Sequence, residues 1–367
     1  MSDSLDCMDS MDFLSELLET PAPTGQEMEA QRLWAGHIAA FTDAQDCDAY
    51  GSTWAVIRAG EKPDEAPTLM LDAHADEIGF SIRYIDDNGF ARVERTGGSD
   101  VAIARGRRVR FMGSEGEVIG ITGNTAIHLR GGDNKAPELW DLYLDFGCDS
   151  REELEQLGIR VGDVGVYCDG PLMIHNNRLV CRALDDRLCG FILAEVARKL
   201  HESGTRPAWN IIFANTVQEE IGGHGARMLS YRLQPDAAIC LDVTHATDTP
   251  GLDKARYGEV KLGGGAALSF GAVCHPNLNG RICLVAEQND MPIQRETIGR
   301  ASGTNTDSVF NTRRGIPSTN MSLPLRYMHS PVELADMRDV QSCVDLLLAF
   351  VQSLKFNDNF AHTLQEK

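Results

Sequence analysis

The sequence predicts an α/β protein in which a mixed-sheet domain is interrupted by a β-rich insertion. Three observations predict it. Apolar strand-like runs alternate with helix-like runs at both ends of the chain. The texture changes between about Ile78 and Tyr167 to short alternating strands and turns. Acids and histidines recur where the apolar runs stop, which is where open α/β sheets build their sites.

The elements follow in order. Residues 9–20 carry Met11, Leu14, Leu17 and Leu18 at helical spacing and read as an amphipathic helix. Pro21-Ala-Pro-Thr-Gly25 ends it. Thr24 with Glu27 has capping-box spacing for a second helix, running to about Ala40. Gly51–Arg58 and Thr68–Ala73 read as strands, the second buried. In the β-rich part, Asp87-Asn88-Gly89 is a hairpin turn. From Leu179 onward, residues 191–200 read as helix, 210–216 and 237–241 as strands, and 340–354 as a long helix. The expected division is 1–76 with 172–367 in one α/β domain and 77–171 in the insertion. No repeat or low-complexity stretch appears.

Composition narrows the class. At 367 residues the chain suits two domains, and 43% hydrophobic residues allow sizeable cores. No apolar run approaches ~20 residues, so no transmembrane helix is expected. The acidic start, Met1-Ser-Asp-Ser-Leu-Asp-Cys7, lacks the basic region of a secretory signal. The ten cysteines, Cys7 among them, form no CxxC pair and predict reduced, mostly buried thiols of a cytoplasmic protein. A net charge of -20 disfavours nucleic acid and anionic membranes as partners; it reads first as a solvated acidic surface and second as suited to substrates carrying a positive amine.

The chemistry concentrates in five segments. Glu219 and Glu220 follow the apolar run Trp209, Ile211, Ile212, Phe213 and precede glycines 222, 223 and 225. Side chains alternate along a strand, so the two acids are expected to need different partners. Two buried carboxylates side by side call for a cation. Leu69-Met-Leu-Asp-Ala-His74-Ala-Asp76 puts His74 and Asp76 on one face of an extended chain. A metal-bound imidazole commonly passes its second ring proton to a carboxylate, and Asp76 is placed for a related task. Asp185 and Asp186 lead into a helix, Asp242 ends the strand-like run Ile239-Cys-Leu, and His329 lies in Arg326-Tyr-Met-His-Ser-Pro-Val-Glu333. A single acid or histidine at a strand end is usually a cap. Together they form a nitrogen and oxygen donor set suited to zinc, cobalt or manganese, with ligands enough for two ions if one aspartate bridges.

In order along the chain, HADEIGF, ALDDRL, TVQEEIGGHGA, LDVTHA, GTNTDS and RYMHSPVE resemble the signature segments of the dinuclear metalloaminopeptidases of metallopeptidase family forty-two. This group contains the tetrahedral, glutamyl and deblocking aminopeptidases. The resemblance spans nearly the whole chain. It implies a mixed-sheet catalytic domain with an inserted dimerisation domain, two divalent ions per subunit and hydrolysis of N-terminal residues from short peptides. His74 and Asp242 would bind one ion, Glu220 and His329 the other, and Asp185 both. Glu219 would be the general base toward a metal-bridging water, and Asp76 would orient His74. The family's assembly implies dimers building to a homododecamer.

Cys189 stands where the family commonly has glycine, and Gly303-Thr-Asn-Thr-Asp307-Ser departs from the family's Gly-Thr-Asp-Ala near the substrate pocket. His128 falls in the insertion; the resemblance implies that a histidine from this loop can lie near the site, and a surface histidine is the equal alternative. His175, His224 and His245 are expected in structural roles. Gly263-Gly264-Gly265 lacks the Lys-Ser/Thr of a phosphate loop. The alternatives are another dimetal amidohydrolase, acting on dipeptides or acylated amines, and more remotely a glycosidase.

Overall fold

The computed structural model describes residues 8–131 and 135–364; Cys7 and the acidic start lie outside them. Four parallel strands form the centre of an eleven-stranded mixed sheet, in the order Asn210–Thr216, Thr68–His74, Ala237–His245, Ser318–Arg326. All four are buried almost throughout. Their near-continuous apolar runs are what strands covered on both faces require. Antiparallel strands extend both sides: Thr53–Ile57 with Ala44–Cys47 on one, Glu333–Asp336, Arg178–Cys181 and Leu172–Ile174 on the other.

The helix Leu184–Glu202 packs on this sheet and is buried on nearly every side from Leu184 to Ala197. Helices Met8–Glu19 and Met337–Ser353 cover it, so its residues face apolar neighbours above and below. Burying a side chain such as Phe191 or Leu193 contributes about 1.5–3 kcal/mol. Cys189 belongs to this core, with its thiol 3.5 Å from the carbonyl oxygen of Asp242. The helix Met337–Ser353 starts at Asp336, whose carboxylate accepts from the amide of Arg338 at 3.0 Å.

Between the halves of the sheet domain, six antiparallel strands close a small barrel: Gly79–Ile85, Ala91–Thr96, Tyr143–Asp145, Gly116–Thr122, Arg108–Gly113 and Val164–Tyr167. It has its own core, including Phe80, Val93, Val109, Phe111 and Leu144. The Asp87-Asn88-Gly89 turn joins its first two strands, with Gly89 at φ +83°. The side chain of Asp86 accepts from the amides of Asn88 and Phe90, both at 3.0 Å, and so closes the turn.

Two local expectations are corrected. Thr24 does not cap the second helix, Met28–Ile38, which has no side-chain cap. Its hydroxyl instead donates to Asp76 at 2.9 Å, and Glu27 accepts from the amide of Gly25 at 2.7 Å. The strand expected over 237–241 runs on to His245, because it pairs with Ser318–Arg326 as far as His245 opposite Leu325. Asp242 therefore lies inside a strand and not at its end. The nine described cysteines are all free thiols, five of them buried. Among the described residues, no helix is long and apolar enough to cross a membrane.

Candidate metal centre

Strand register aligns the site. Thr216 sits opposite His74, and Cys240 opposite Asp72, so Asp242 two residues on is level with His74. The chain leaving Asn210–Thr216 passes Gln218 at φ +60° and presents Glu219 and Glu220 in the following turn. The strand expected over 210–216 ends at Thr216 as read, so the two acids lie in the turn beyond it and not on the strand. Asp185 and Asp186 are the first acids of the Leu184–Glu202 helix, with non-helical backbone and a cis peptide between them. His329, at φ +61°, lies in the connection after Ser318–Arg326.

These side chains converge. Nε2 of His74 is 3.2 Å from Oδ1 of Asp185, and Nε2 of His329 is 3.4 Å from Oδ2 of the same carboxylate. Oε1 of Glu220 lies 3.6 Å from Nε2 of His329. Two groups of potential ligand atoms each fall within 4.8 Å: His74, Asp185 and Asp242, and Asp185, Glu220 and His329. Two atoms each about 2.1 Å from a tetrahedral ion would be about 3.4 Å apart, so this spacing fits a shared cation. Glu219 belongs to neither group; its Oε2 is 3.9 Å from Nε2 of His74.

Asp76 is fully buried at the base of this arrangement. Its carbonyl oxygen is 3.0 Å from Nδ1 of His74, closer than its carboxylate at 3.4 Å. The carboxylate accepts from the amides of Glu219 and Glu220, at 2.9 and 3.2 Å, and from the Thr24 hydroxyl. Three further contributors were given no role of their own from sequence. Glu333 accepts from the amide of Asp185 at 3.1 Å and from that of His329 at 2.7 Å. Asp186 accepts from the amide of His74 at 3.2 Å, while its other oxygen is buried without a partner. Gly98, from the turn after Ala91–Thr96, lines the cleft above the site. Glu333 and Asp186 lie inside the acid-bearing segments ALDDRL and RYMHSPVE; Gly98 lies in none of them.

The crowding of acids shows in their titration. Burial, with the charge of Asp185 adding to it, pushes Glu219 up to about 7 and Glu220 up to about 8. Burial also drives Asp186, Asp242 and Glu333 well above the usual carboxylate range. Against its own burial, Asp185 is held well below that range by His329 and His74. Burial lowers the histidines, but Asp185 and its neighbours outweigh it. His329 is raised to about 9 and His74 well above its usual value. More carboxylates gather here than two histidines could offset if all were ionised, and the imidazole and carboxylate donors, with no thiolate, fit a divalent cation.

The cleft over the centre has a volume of about 590 Å³ and is walled by the Gly222–Gly223 turn and residues 302–308. The departing motif forms that wall. Asp307 accepts from the amides of Ser302 and Gly303, both at 2.9 Å, and Asn305 donates to Asp72 at 2.9 Å. His245 also lines the cleft, whereas His128, His175 and His224 are exposed and do not. The amides of Gly263 and Gly265 donate to Asp339, each at 2.7 Å, so that glycine run is closed by a protein carboxylate and not shaped for phosphate.

A family model described as M42 glutamyl aminopeptidase matches residues 54–346. The chain belongs to the M42 family. It is 32% identical to a lysyl aminopeptidase of Pyrococcus furiosus over 94% of this chain and 97% of that protein. An aminopeptidase structure from Desulfurococcus kamchatkensis superimposes with a TM-score of 0.88 at 30% identity, covering 94% of this chain and 95% of that one. The TET1 peptidase of Pyrococcus horikoshii, described as assembling into a tetrahedron or a large octahedral shell, gives 0.83 at 28% identity over 94% and 100%. This M42 chain is thus a metal-dependent aminopeptidase, a hydrolase of peptide bonds. The mixed sheet and the separate antiparallel barrel are the architecture expected for it.

Proposed function

We propose that two divalent cations occupy this centre and that the chain removes single residues from the N-termini of short peptides. The supporting observation is the pair of ligand groups that share Asp185, with Glu219 beside them and outside both. In this reading His74 and Asp242 hold one ion, Glu220 and His329 the other, and Asp185 both. Zinc, cobalt and manganese all suit these donors. When bound, the ions would supply Lewis-acid polarisation of the scissile carbonyl and a more acidic water.

The chain's own residues do the rest. Glu219 takes a proton from water as its oxygen attacks the carbonyl carbon. As the C–N bond breaks, Glu219 gives that proton to the leaving nitrogen, so the products are a free amino acid and a shortened peptide. Asp76 holds the Glu219–Glu220 turn by its amides and, through its carbonyl and carboxylate, faces Nδ1 of His74. A free α-ammonium suits a cleft whose lining is rich in carboxylates.

In this reading, residues 1–76 and 172–367 form the catalytic domain, and 77–171 the inserted domain through which subunits pair. Exposed Ile119, Ile121, Ile127, Leu129 and Trp140 support pairing there, because apolar side chains clustered in one domain favour burial against a partner. Such dimers would build to a homododecamer in the cytoplasm. Elution as a monomer at micromolar concentration would count against this assembly.

The deciding experiment is hydrolysis of aminoacyl p-nitroanilides by protein as isolated, after chelation, and after return of zinc, cobalt or manganese. Metal-restored cleavage is expected, with N-acetylated substrates inert. Glu219→Gln should abolish turnover and still bind two equivalents of metal. Retained activity in that variant would remove Glu219 from its role.

A further inference from the structure

The two histidines of the centre are oriented by different means. Nδ1 of His74 faces the carbonyl and carboxylate of Asp76, a neighbour on its own segment. The ring of His329 instead meets the barrel. A Cβ built on Gly98 would lie 2.3 Å from Nδ1 of His329 and 2.6 Å from its Cε1. The adjacent Gly97 faces Glu220 in the same way: a Cβ there would lie 2.9 Å from Oε2 and 3.1 Å from Cβ of Glu220. No side chain fits at either position without displacing one of these two residues. Gly97 also needs its φ of +67°, but Gly98 has no positive φ. The requirement for glycine at 98 is therefore one of space alone.

The turn is held in place. Ser99 is fully buried, and its hydroxyl donates to the carbonyl of Gly79 at 2.9 Å, tying the turn to the first barrel strand. His329 is pinned from the other side by Asp185 and Glu220, and its amide by Glu333. The imidazole is thus clamped between the carboxylates and a backbone surface from the barrel.

We propose that Gly98 is a positioning residue of the metal centre, through which the inserted barrel sets the ring of His329 and completes the Asp185, Glu220, His329 ligand group. The barrel is then part of the catalytic apparatus of its own subunit. This rests on the two-ion reading above, and wild-type stoichiometry tests that reading separately.

The test is calorimetric titration of the chelated full-length protein with cobalt(II), alongside its thermal melt without metal. Wild type should take up two equivalents; a single equivalent would overturn the two-ion reading itself. Gly98→Ala should keep the first equivalent and bind the second about 10–100-fold more weakly, the usual cost of disturbing a group that orients a ligand. Its kcat should fall while KM for small substrates stays within about twofold. In a His329→Ala background the same substitution should add nothing, because the ring it displaces is gone. Ser99→Ala, which loosens the turn without adding bulk, should weaken the second equivalent in the same direction and serves if Gly98→Ala does not fold. Unchanged affinity for both equivalents, a rise in KM alone, or an equal effect of Gly98→Ala without His329 would each overturn the proposal.

Discussion

Asp76→Asn tests whether this carboxylate holds the catalytic turn. The native carboxylate accepts three hydrogen bonds: from the Glu219 amide at 2.9 Å, the Glu220 amide at 3.2 Å and the Thr24 hydroxyl at 2.9 Å. The asparagine amide keeps one oxygen. If it stays on Glu219, the new NH2 group faces the Glu220 amide, donor against donor. The Thr24 hydroxyl can rotate and accept, so that contact survives. The Glu220 amide loses its partner, at about 1–3 kcal/mol, and the Glu219 bond loses its charge assistance, at about 1 kcal/mol. The sum is about 2–4 kcal/mol of stability. A turn freed by that much no longer fixes Glu219 against His74, and a shift near 1 Å costs on the order of 100-fold in rate. Denaturant unfolding and p-nitroanilide kinetics measure the two effects. Stability within about 0.5 kcal/mol of wild type, with kcat within about threefold, would refute the view that this carboxylate holds the turn.

Other outcomes follow from the same geometry. Glu219, Glu220 and His329 all have folded pKa values raised above their ordinary ones, to about 7, 8 and 9. Their protonation stabilises the fold without metal below the ordinary values and is lost as pH rises through the folded ones, so that form should weaken from mildly acid to alkaline pH. Metal uptake should therefore release protons near pH ~6 and fewer near pH ~10; calorimetry in buffers of different ionisation enthalpy counts them, and equal release at both would contradict the assignment. Glu77 is buried against Arg182 and Arg187, the nearest contacts being 2.5 and 3.2 Å. Glu77→Gln should destabilise by about 3–5 kcal/mol, because two buried guanidiniums lose their shared counter-charge; a loss below about 1 kcal/mol in denaturant unfolding would show that solvent or other carbonyls replace it.

What could be read from the sequence was whatever lay within one segment. His74, Asp185, Glu219, Glu220, Asp242 and His329 each stand in a short run whose apolar lead-in marks a buried strand or helix, and the structure brings all six together. The barrel was visible as a change of period. The misses lie between segments. Thr24 has good capping-box spacing, but the helix starts only at Met28 with buried Glu27 at its N-cap position, and the Thr24 hydroxyl serves the buried carboxylate of Asp76 instead. Asp242 reads as a strand end because the apolar run stops there, yet pairing to Ser318–Arg326 carries the strand on. Glycine at 98 leaves no periodic trace at all, since its reason is a ring on a distant loop. The two glutamates argue the same point. Strand alternation predicts that they diverge, and they do face different histidines. They do so in a turn beyond the strand, where alternation has no force and Asp76 holds both amides. The prediction reached the right partners through a rule that does not operate there, so it is the clamp, and not the pleat, that mutation of this pair would have to respect.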